Sequence, residues 1–143
     1  MTEQKSERRF HFLGVLLGVS IDNLGTFVST ALIGSAYFAA NPVNEKDLSQ
    51  IYSNVGLLMV LLVVGLFWTF LGGYVAAKVA KRAEVFNASI IGVIAAAIGF
   101  DSMLTSHDIP LWYELIGFIV IIPISLLGGY LAMKKKGAST KKS

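Results

Sequence analysis

The second hydrophobic stretch of the chain decides the fold class: residues 55–77 read VGLLMVLLVVGLFWTFLGGYVAA, without a charged side chain. A helix of roughly 20 mostly apolar residues, each rising about 1.5 Å, crosses the hydrocarbon layer of a bilayer. The stretch reaches that length, and it lacks the apolar–polar alternation of a membrane β-strand. We therefore predict a transmembrane helix here.

Three more segments share these properties, and the four predicted spans are residues 10–38, 55–77, 85–102 and 110–133. A short N-terminal segment, 1–9, precedes them and a basic tail, 134–143, follows. The chain of 143 residues is 55% hydrophobic and only 15% charged, whereas soluble domains carry about 25% charged residues. The prediction is an all-α, polytopic membrane protein with a compact bundle of four transmembrane helices. The absence of cysteine excludes disulfides, iron–sulfur clusters and thiol nucleophiles.

Lysine and arginine residues predict the orientation of the spans. All but Lys46 of the 12 basic residues fall on one side of the membrane once the spans alternate. Basic loops face the cytoplasm, so we predict a plasma- or inner-membrane protein with both termini inside the cell. These cations flank span ends, where they meet anionic lipid headgroups. The net charge of +3 therefore indicates a lipid bilayer as partner and no nucleic acid. The residues on the predicted cytoplasmic side are Lys5, Arg8, Arg9, Lys78, Lys81, Arg82, Lys134, Lys135, Lys136, Lys141 and Lys142.

The second and fourth spans end on the same motif, GGY-x-A-x-K, at Gly72–Lys78 and Gly128–Lys134. Two repeated helical hairpins would explain why the motif occurs twice, since parallel repeats occur in transporters. Convergence would explain it too, because a glycine pair, an interfacial tyrosine and a snorkelling lysine suit any cytoplasmic helix end. The chain resembles small bacterial four-helix membrane proteins with this ending. The resemblance implies the four-span plan and no particular function.

Small residues recur at helical spacing on every span and predict where the helices meet. Lipid tails are as apolar as leucine, so helices associate through close packing and interhelical hydrogen bonds. We also expect Pro123 to kink the fourth span. The predicted packing glycines are Gly14, Gly18 and Gly25 on the first span, Gly72 and Gly73 on the second, Gly92 and Gly99 on the third, and Gly128 and Gly129 on the fourth.

Asp22 is the centre of a predicted intramembrane polar site. It lies on the glycine face of the first span, roughly 18 Å along the helix from Phe10, where an aspartate costs about 2.5–3.5 kcal/mol. Ser20, Asn23 and Thr26 surround it in the sequence. No lysine or arginine lies at that depth on another span, so the carboxyl spends much time protonated. Two interpretations stay open: a site that binds protons or cations, and a structural carboxyl hydrogen-bonded to another helix.

A second group of polar residues is predicted near the outer surface: Asp101, His107, Asp108 and Glu114. One histidine among irregularly spaced carboxylates is a poor zinc site. We interpret the group as a solvated loop with interfacial acids and expect neither a metal nor a cofactor. An intramembrane aspartic enzyme would need Asp22 and Asp101 to share a proton. The four-helix signal peptidase of lipoproteins has a comparable topology, but its motifs are missing here.

Three polar residues near the predicted inner boundary are given no functional role. Asn87 begins a glycosylation sequon with Ala88 and Ser89, but it lies at the cytoplasmic end of a span, where no glycan is added. His11 and Glu84 are interpreted as ordinary boundary residues.

The loops are too short for a soluble catalytic or ligand-binding domain, and no HExxH or GxSxG motif is present. The leading hypothesis is a non-enzymatic integral membrane protein that acts as a packing or regulatory partner of another membrane protein, or as a small homo-oligomer. The alternative is a small proton- or cation-coupled transporter or channel protomer that uses Asp22. Four helices barely enclose a polar pathway, so we expect transport to need a dimer or a larger assembly. A holin-like pore former is a third option.

Overall fold

The computed structural model describes residues 10–41, 52–106 and 108–140. Four helices make up nearly all of this part of the chain, which contains no β-strand. They are α1 (Phe12–Ala40), α2 (Val55–Ala80), α3 (Glu84–Thr105) and α4 (Leu111–Thr140). All four are long and apolar enough to cross a membrane. The predicted all-α membrane bundle is confirmed, and the chain is a multi-pass integral membrane protein. Several residues used in the sequence analysis lie outside the described residues: Lys5, Arg8, Arg9, Lys46, His107, Lys141 and Lys142.

The helix α4 continues past its predicted end at Met133, so the first part of the predicted basic tail belongs to the bundle. Lysine is a good helix former, and Lys136 is held by contacts outside its own helix. Its Nζ atom lies 2.8 Å from Oε1 of Glu84 and also donates a hydrogen bond to the backbone oxygen of Lys81. The helix also passes through Pro123, which removes a backbone hydrogen bond without ending α4.

The four helices run alternately up and down. Helices that follow one another in the sequence pack together, α2 also packs along α4, and α1 meets α3. Within the described residues no Cα atom of α1 lies within 8 Å of one of α4, so α2 and α3 form the middle of the bundle. We call the basic end the one where α1 and α3 begin and α2 and α4 finish. Its described basic residues are Lys78, Lys81, Arg82, Lys134, Lys135 and Lys136.

Glycines bring the backbones of α1 and α2 into contact near the basic end. A Cβ atom on Gly18 would lie 2.6 Å from the backbone oxygen of Gly72, and one on Gly72 would lie 2.7 Å from that of Gly18. A Cβ atom on Gly14 would lie 2.8 Å from the backbone oxygen of Ala76. These distances are below van der Waals contact, so a side chain at any of the three positions would push the helices apart.

The helix α4 approaches α2 and α3 through glycines at the same end. The residues that a Cβ atom would meet are Phe70 for Gly128, Ser125 for Gly73, Ala88 for Gly129 and Ile122 for Gly92. For Gly128 and Gly73 the obstacle is a backbone oxygen, which cannot turn aside as a long side chain can. The hydroxyl of Ser125 adds an interhelical hydrogen bond of 2.6 Å to the backbone oxygen of Ala88.

The two remaining predicted packing glycines behave differently. Gly25 accommodates the indole ring of Trp68, and Nε1 of Trp68 donates a hydrogen bond of 2.9 Å to Oγ of Ser29. Gly99 departs from the expectation, since no atom of another helix lies within 4 Å of where its Cβ atom would be. It lies far from the basic end, at a place where α3 has no close neighbour. Close backbone contact is therefore concentrated at the basic end.

The two GGY motifs lie at the same end of the bundle but in different surroundings. In the first motif Gly72 meets α1 and Gly73 meets α4, whereas in the second Gly128 meets α2 and Gly129 meets α3. The helix α2 packs against α3, yet in the described residues the backbones of α4 and α1 stay more than 8 Å apart between Cα atoms. Two equal hairpins related by a two-fold axis would make equivalent contacts, so these unequal contacts do not support such a symmetry. The internal repeat stays a prediction from the sequence.

We predict opposite effects for the same substitution at two glycines. Gly128→Ala should lower the free energy of unfolding by about 1–3 kcal/mol, because the new methyl group meets the backbone of α2. Gly34→Ala on α1 should raise it by up to about 1 kcal/mol, because nothing lies within 4 Å of that Cβ position and alanine favours the helix. Thermal unfolding in detergent, followed by circular dichroism, measures both. Equal shifts of the same sign would contradict the proposed helix contacts.

Candidate functional site

The helices enclose a cavity where they separate. It has a volume of about 640 Å³, it is partly open, and all four helices line it. Most of its wall is apolar, formed by leucine, isoleucine, phenylalanine, alanine and glycine residues. A cavity of this size lies in the range of about 300–1,000 Å³ that is typical of small-molecule sites. Its polar lining consists of Asp22, Asn23, Thr26, Thr30, Thr69, Ser102, Tyr113 and Glu114.

Asp22 lies at the inner end of this cavity, one helical turn beyond the contact between Gly18 and Gly72. Only 6% of the residue is exposed, and Thr69 beside it is 2% exposed. The hydroxyl of Thr69 donates a hydrogen bond of 2.8 Å to Oδ1 of Asp22. The buried carboxyl therefore has a partner on another helix, and the partner is a neutral group.

The Thr69 hydroxyl has two acceptors within reach. Besides the Asp22 carboxyl, the backbone oxygen of Gly65 lies 3.2 Å from Oγ1. A hydroxyl donates one proton and can accept hydrogen bonds at the same time. When Asp22 is ionised, the hydroxyl donates to the carboxylate. When Asp22 is protonated, the carboxyl can donate to the hydroxyl, which then donates to Gly65. The heavy atoms of Asp22 and Thr69 can therefore keep the same positions whether the carboxyl is protonated or ionised.

The other residues predicted to surround Asp22 divide between two faces of α1. Asn23 and Thr26 line the cavity, and the amide of Asn23 donates a hydrogen bond of 2.9 Å to the backbone oxygen of Val19. The structure separates Ser20 from this site and places it in a shallow groove beside α2. An α-helix turns by roughly 100° per residue, so a side chain two positions away points to the far side.

The position of Glu114 differs most from the one that the sequence analysis predicts. The residue was interpreted as an acid of a solvated loop, but it lines the cavity, and its Oε1 atom is buried without a hydrogen-bond partner among the described residues. The reason is helical spacing, since Glu114 shares a face of α4 with Gly117, which also lines the cavity. Asp101 and Asp108 are exposed. The described residues contain no cluster of three metal-ligating side chains.

The two aspartates of the intramembrane-enzyme alternative are not brought together. Asp22 faces α2 and bonds to Thr69, whereas Asp101 is exposed near the end of α3 and is not part of the cavity wall. Sharing a proton requires the two carboxyls to be in contact. This arrangement offers no such pair.

Asn87 is a structural residue that the sequence analysis missed. It is completely buried, and its Oδ1 accepts a hydrogen bond of 2.8 Å from the backbone N–H of His11. Its Nδ2 donates to the backbone oxygens of Ala83, at 3.0 Å, and of Arg82, at 3.4 Å. His11 caps α1, because its Nδ1 accepts a hydrogen bond of 3.0 Å from the N–H of Gly14. The signal that could have identified Asn87 was its position one helical turn before the buried packing face of α3.

We predict that removal of the Thr69 hydroxyl weakens the bundle. Thr69→Val keeps nearly the same volume and leaves Asp22 without its donor, so the free energy of unfolding should fall by about 0.6–2 kcal/mol. Thr69→Ser keeps the hydroxyl and should retain most of that stability. Thermal unfolding in detergent compares the two. A Val variant as stable as the Ser variant would show that the Asp22–Thr69 hydrogen bond does not stabilise the fold.

Comparison of the chain with protein-family models, with curated proteins and with solved structures gives no match. Function has to be inferred from the chemistry of the cavity. The cavity has two ionisable carboxyls: that of Asp22, paired with Thr69 at the inner end, and that of Glu114 near the other end.

Proposed function

We propose that this integral membrane protein is non-enzymatic and acts as a small transporter coupled to protons or cations through Asp22. The observation that supports this function is the position of Asp22. Its buried carboxyl lies at the closed end of a cavity large enough for a small molecule. Intramembrane carboxyls that face a cavity typically belong to substrate pathways or proton relays.

Two features of the bundle support this proposal. The cavity is formed by the four helices of one chain, so a binding site does not depend on a second copy; the need for a dimer or a larger assembly in transport stays a prediction. Glycine contacts such as Gly18–Gly72 join the helices beyond its inner end. The cavity is partly open and these contacts close its inner end, and alternating access requires a site that is closed on one side at a time.

A partner subunit or a small homo-oligomer is the second candidate function. It is favoured by a shallow groove of about 400 Å³ on the surface of α1 and α2, where Ser20, Gly25 and Trp68 lie among apolar side chains. Small and hydroxyl residues are typical of contacts between membrane helices. Mass measurement of the protein purified in mild detergent separates the two functions, because a stoichiometric co-purifying chain supports the partner role.

The orientation is part of the proposal. We propose that the protein lies in the plasma or inner membrane, with its basic end and both termini in the cytoplasm. The support is the excess of lysine and arginine at that end. The cavity then faces the outer half of the membrane.

The first test concerns topology. Reporters fused after Ser143 or inserted near Arg82 should report the cytoplasm, and reporters near Asp47 or Asp108 should report the exterior. Paired reporters that are active on opposite sides, such as alkaline phosphatase and green fluorescent protein, measure this. An exterior signal after Ser143 would contradict the proposed orientation.

The second test concerns transport. Asp22→Asn keeps the shape of a protonated aspartate but cannot release a proton, so it should fold normally and abolish pH-dependent flux of protons or monovalent cations in liposomes. Asp22→Leu should abolish the flux too, and it should also lose interhelical hydrogen bonding worth about 0.6–2 kcal/mol. Asp101→Asn is the matched control, because Asp101 is exposed and outside the cavity wall. Wild-type protein without flux, or an Asn variant with unchanged flux, would overturn the transport function.

A further inference from the structure

The charge of the cavity wall has one sign. The helix α1 contributes the carboxyl of Asp22, and α4 contributes the carboxyl of Glu114 together with the phenol of Tyr113. From α2 and α3 the polar contributions are the hydroxyls of Thr69 and Ser102. Among the residues that the structure describes, no lysine, arginine or histidine lines the cavity. Any charge that this described part of the wall carries is therefore negative, and an anion would meet repulsion there.

The rest of the wall is apolar and broad. It is formed by side chains such as Phe27 on α1, Leu62 on α2, Ile98 on α3 and Phe118 on α4. A metal ion prefers a shell of several oxygen ligands, and this wall offers its carboxyls at different depths of the bundle. An organic molecule fits this wall better than a metal ion does, because the removal of its apolar area from water stabilises binding.

The two carboxyls differ in how they are satisfied. Asp22 accepts the hydrogen bond of Thr69, whereas the Oε1 atom of Glu114 is buried and has no partner among the described residues. A buried polar atom without a partner costs free energy that a bound donor or cation would recover. Glu114 therefore lacks a partner that a positively charged ligand could supply, and Asp22 keeps a second carboxyl oxygen that can accept from such a ligand.

We propose that the cavity binds amphipathic organic cations: molecules with an apolar, preferably aromatic body and one positive centre, which lies against Asp22 or Glu114. This inference rests on the proposed function, since it names the substrate class for the same cavity. Aromatic walls add to the binding of such molecules, because a cation is attracted to the face of a phenylalanine or tyrosine ring.

The test compares two ions of the same shape and opposite charge. Tetraphenylphosphonium is the cationic probe and tetraphenylborate is the anionic probe. The full chain is placed in nanodiscs of zwitterionic lipid, and saturable binding is measured by equilibrium dialysis above the background of empty nanodiscs. The cation should bind saturably, at least about tenfold more tightly than the anion. Asp22→Asn and Glu114→Gln should each weaken cation binding by about tenfold, which is the effect of losing roughly 1.4 kcal/mol, whereas Asp101→Asn should leave it unchanged.

A pair of glycines tests whether the probe binds in this cavity. Both Gly99 and Gly34 have open space where a Cβ atom would lie, but only Gly99 is part of the cavity wall. Gly99→Leu should fill part of the cavity and reduce cation binding by about tenfold or more. Gly34→Leu places the same side chain outside the cavity and should leave binding unchanged. Circular dichroism confirms that each variant folds.

Each outcome decides the inference. Equal binding of the two ions, as a lipid-like apolar site would give, overturns it, and so does cation binding that survives both carboxyl variants and Gly99→Leu. If cation binding depends on the carboxyls but Asp22-dependent flux in liposomes is absent, the ligand class stands and the transport function falls. If flux is present but the two probe ions bind alike, the transport function stands and the ligand class is wrong.

Discussion

The architecture depends on backbone contact between helices at one end of the bundle. At Gly18, Gly72, Gly73 and Gly128 the obstacle to a side chain is a backbone oxygen of the facing helix, so only glycine permits the approach. The cavity lies beyond these contacts, and Gly99, which has no atom of another helix within 4 Å of its Cβ position, is part of its wall.

The same constraint explains why a carboxyl is tolerated within the bilayer. Asp22 lies one turn beyond the Gly18–Gly72 contact, so the helices are still close enough for Thr69 to reach it. Closer to the basic end, the carboxyl would collide with the facing backbone. A polar group in a membrane protein needs an internal partner because lipid supplies none, and at this depth Thr69 supplies one.

The spans could be predicted from the sequence because length and hydropathy alone determine whether a helix crosses a membrane. The inward face of α1 was also predictable, since Gly14, Gly18 and Asp22 recur at helical spacing. The pairing of Asp22 with Thr69 was not, because it depends on the relative height of two helices, which no local pattern encodes. Glu114 was misjudged for a related reason. The start of α4 was predicted within one residue, but the role of Glu114 depends on which face of α4 turns toward the other helices, and that face is set by tertiary packing.

Under the proposed function, coupling between a proton and an organic cation would follow from their competition for one carboxyl. A protonated Asp22 has no charge for a cation to approach, and an ionised Asp22 with a bound cation has a lower affinity for protons. The free-energy coupling must be the same in both directions, so a ligand that displaces the proton is itself displaced as protons become more abundant. Thr69 suits this exchange because its hydroxyl accepts from the protonated carboxyl and donates to the ionised one, which keeps the two states close in structure.

Glu114, near the other end of the cavity, lies where a cation would pass before it reaches Asp22. Under the same proposal, the two carboxyls would form a path of the same charge that ends at the glycine contacts, and transport would require movement of the helices joined there.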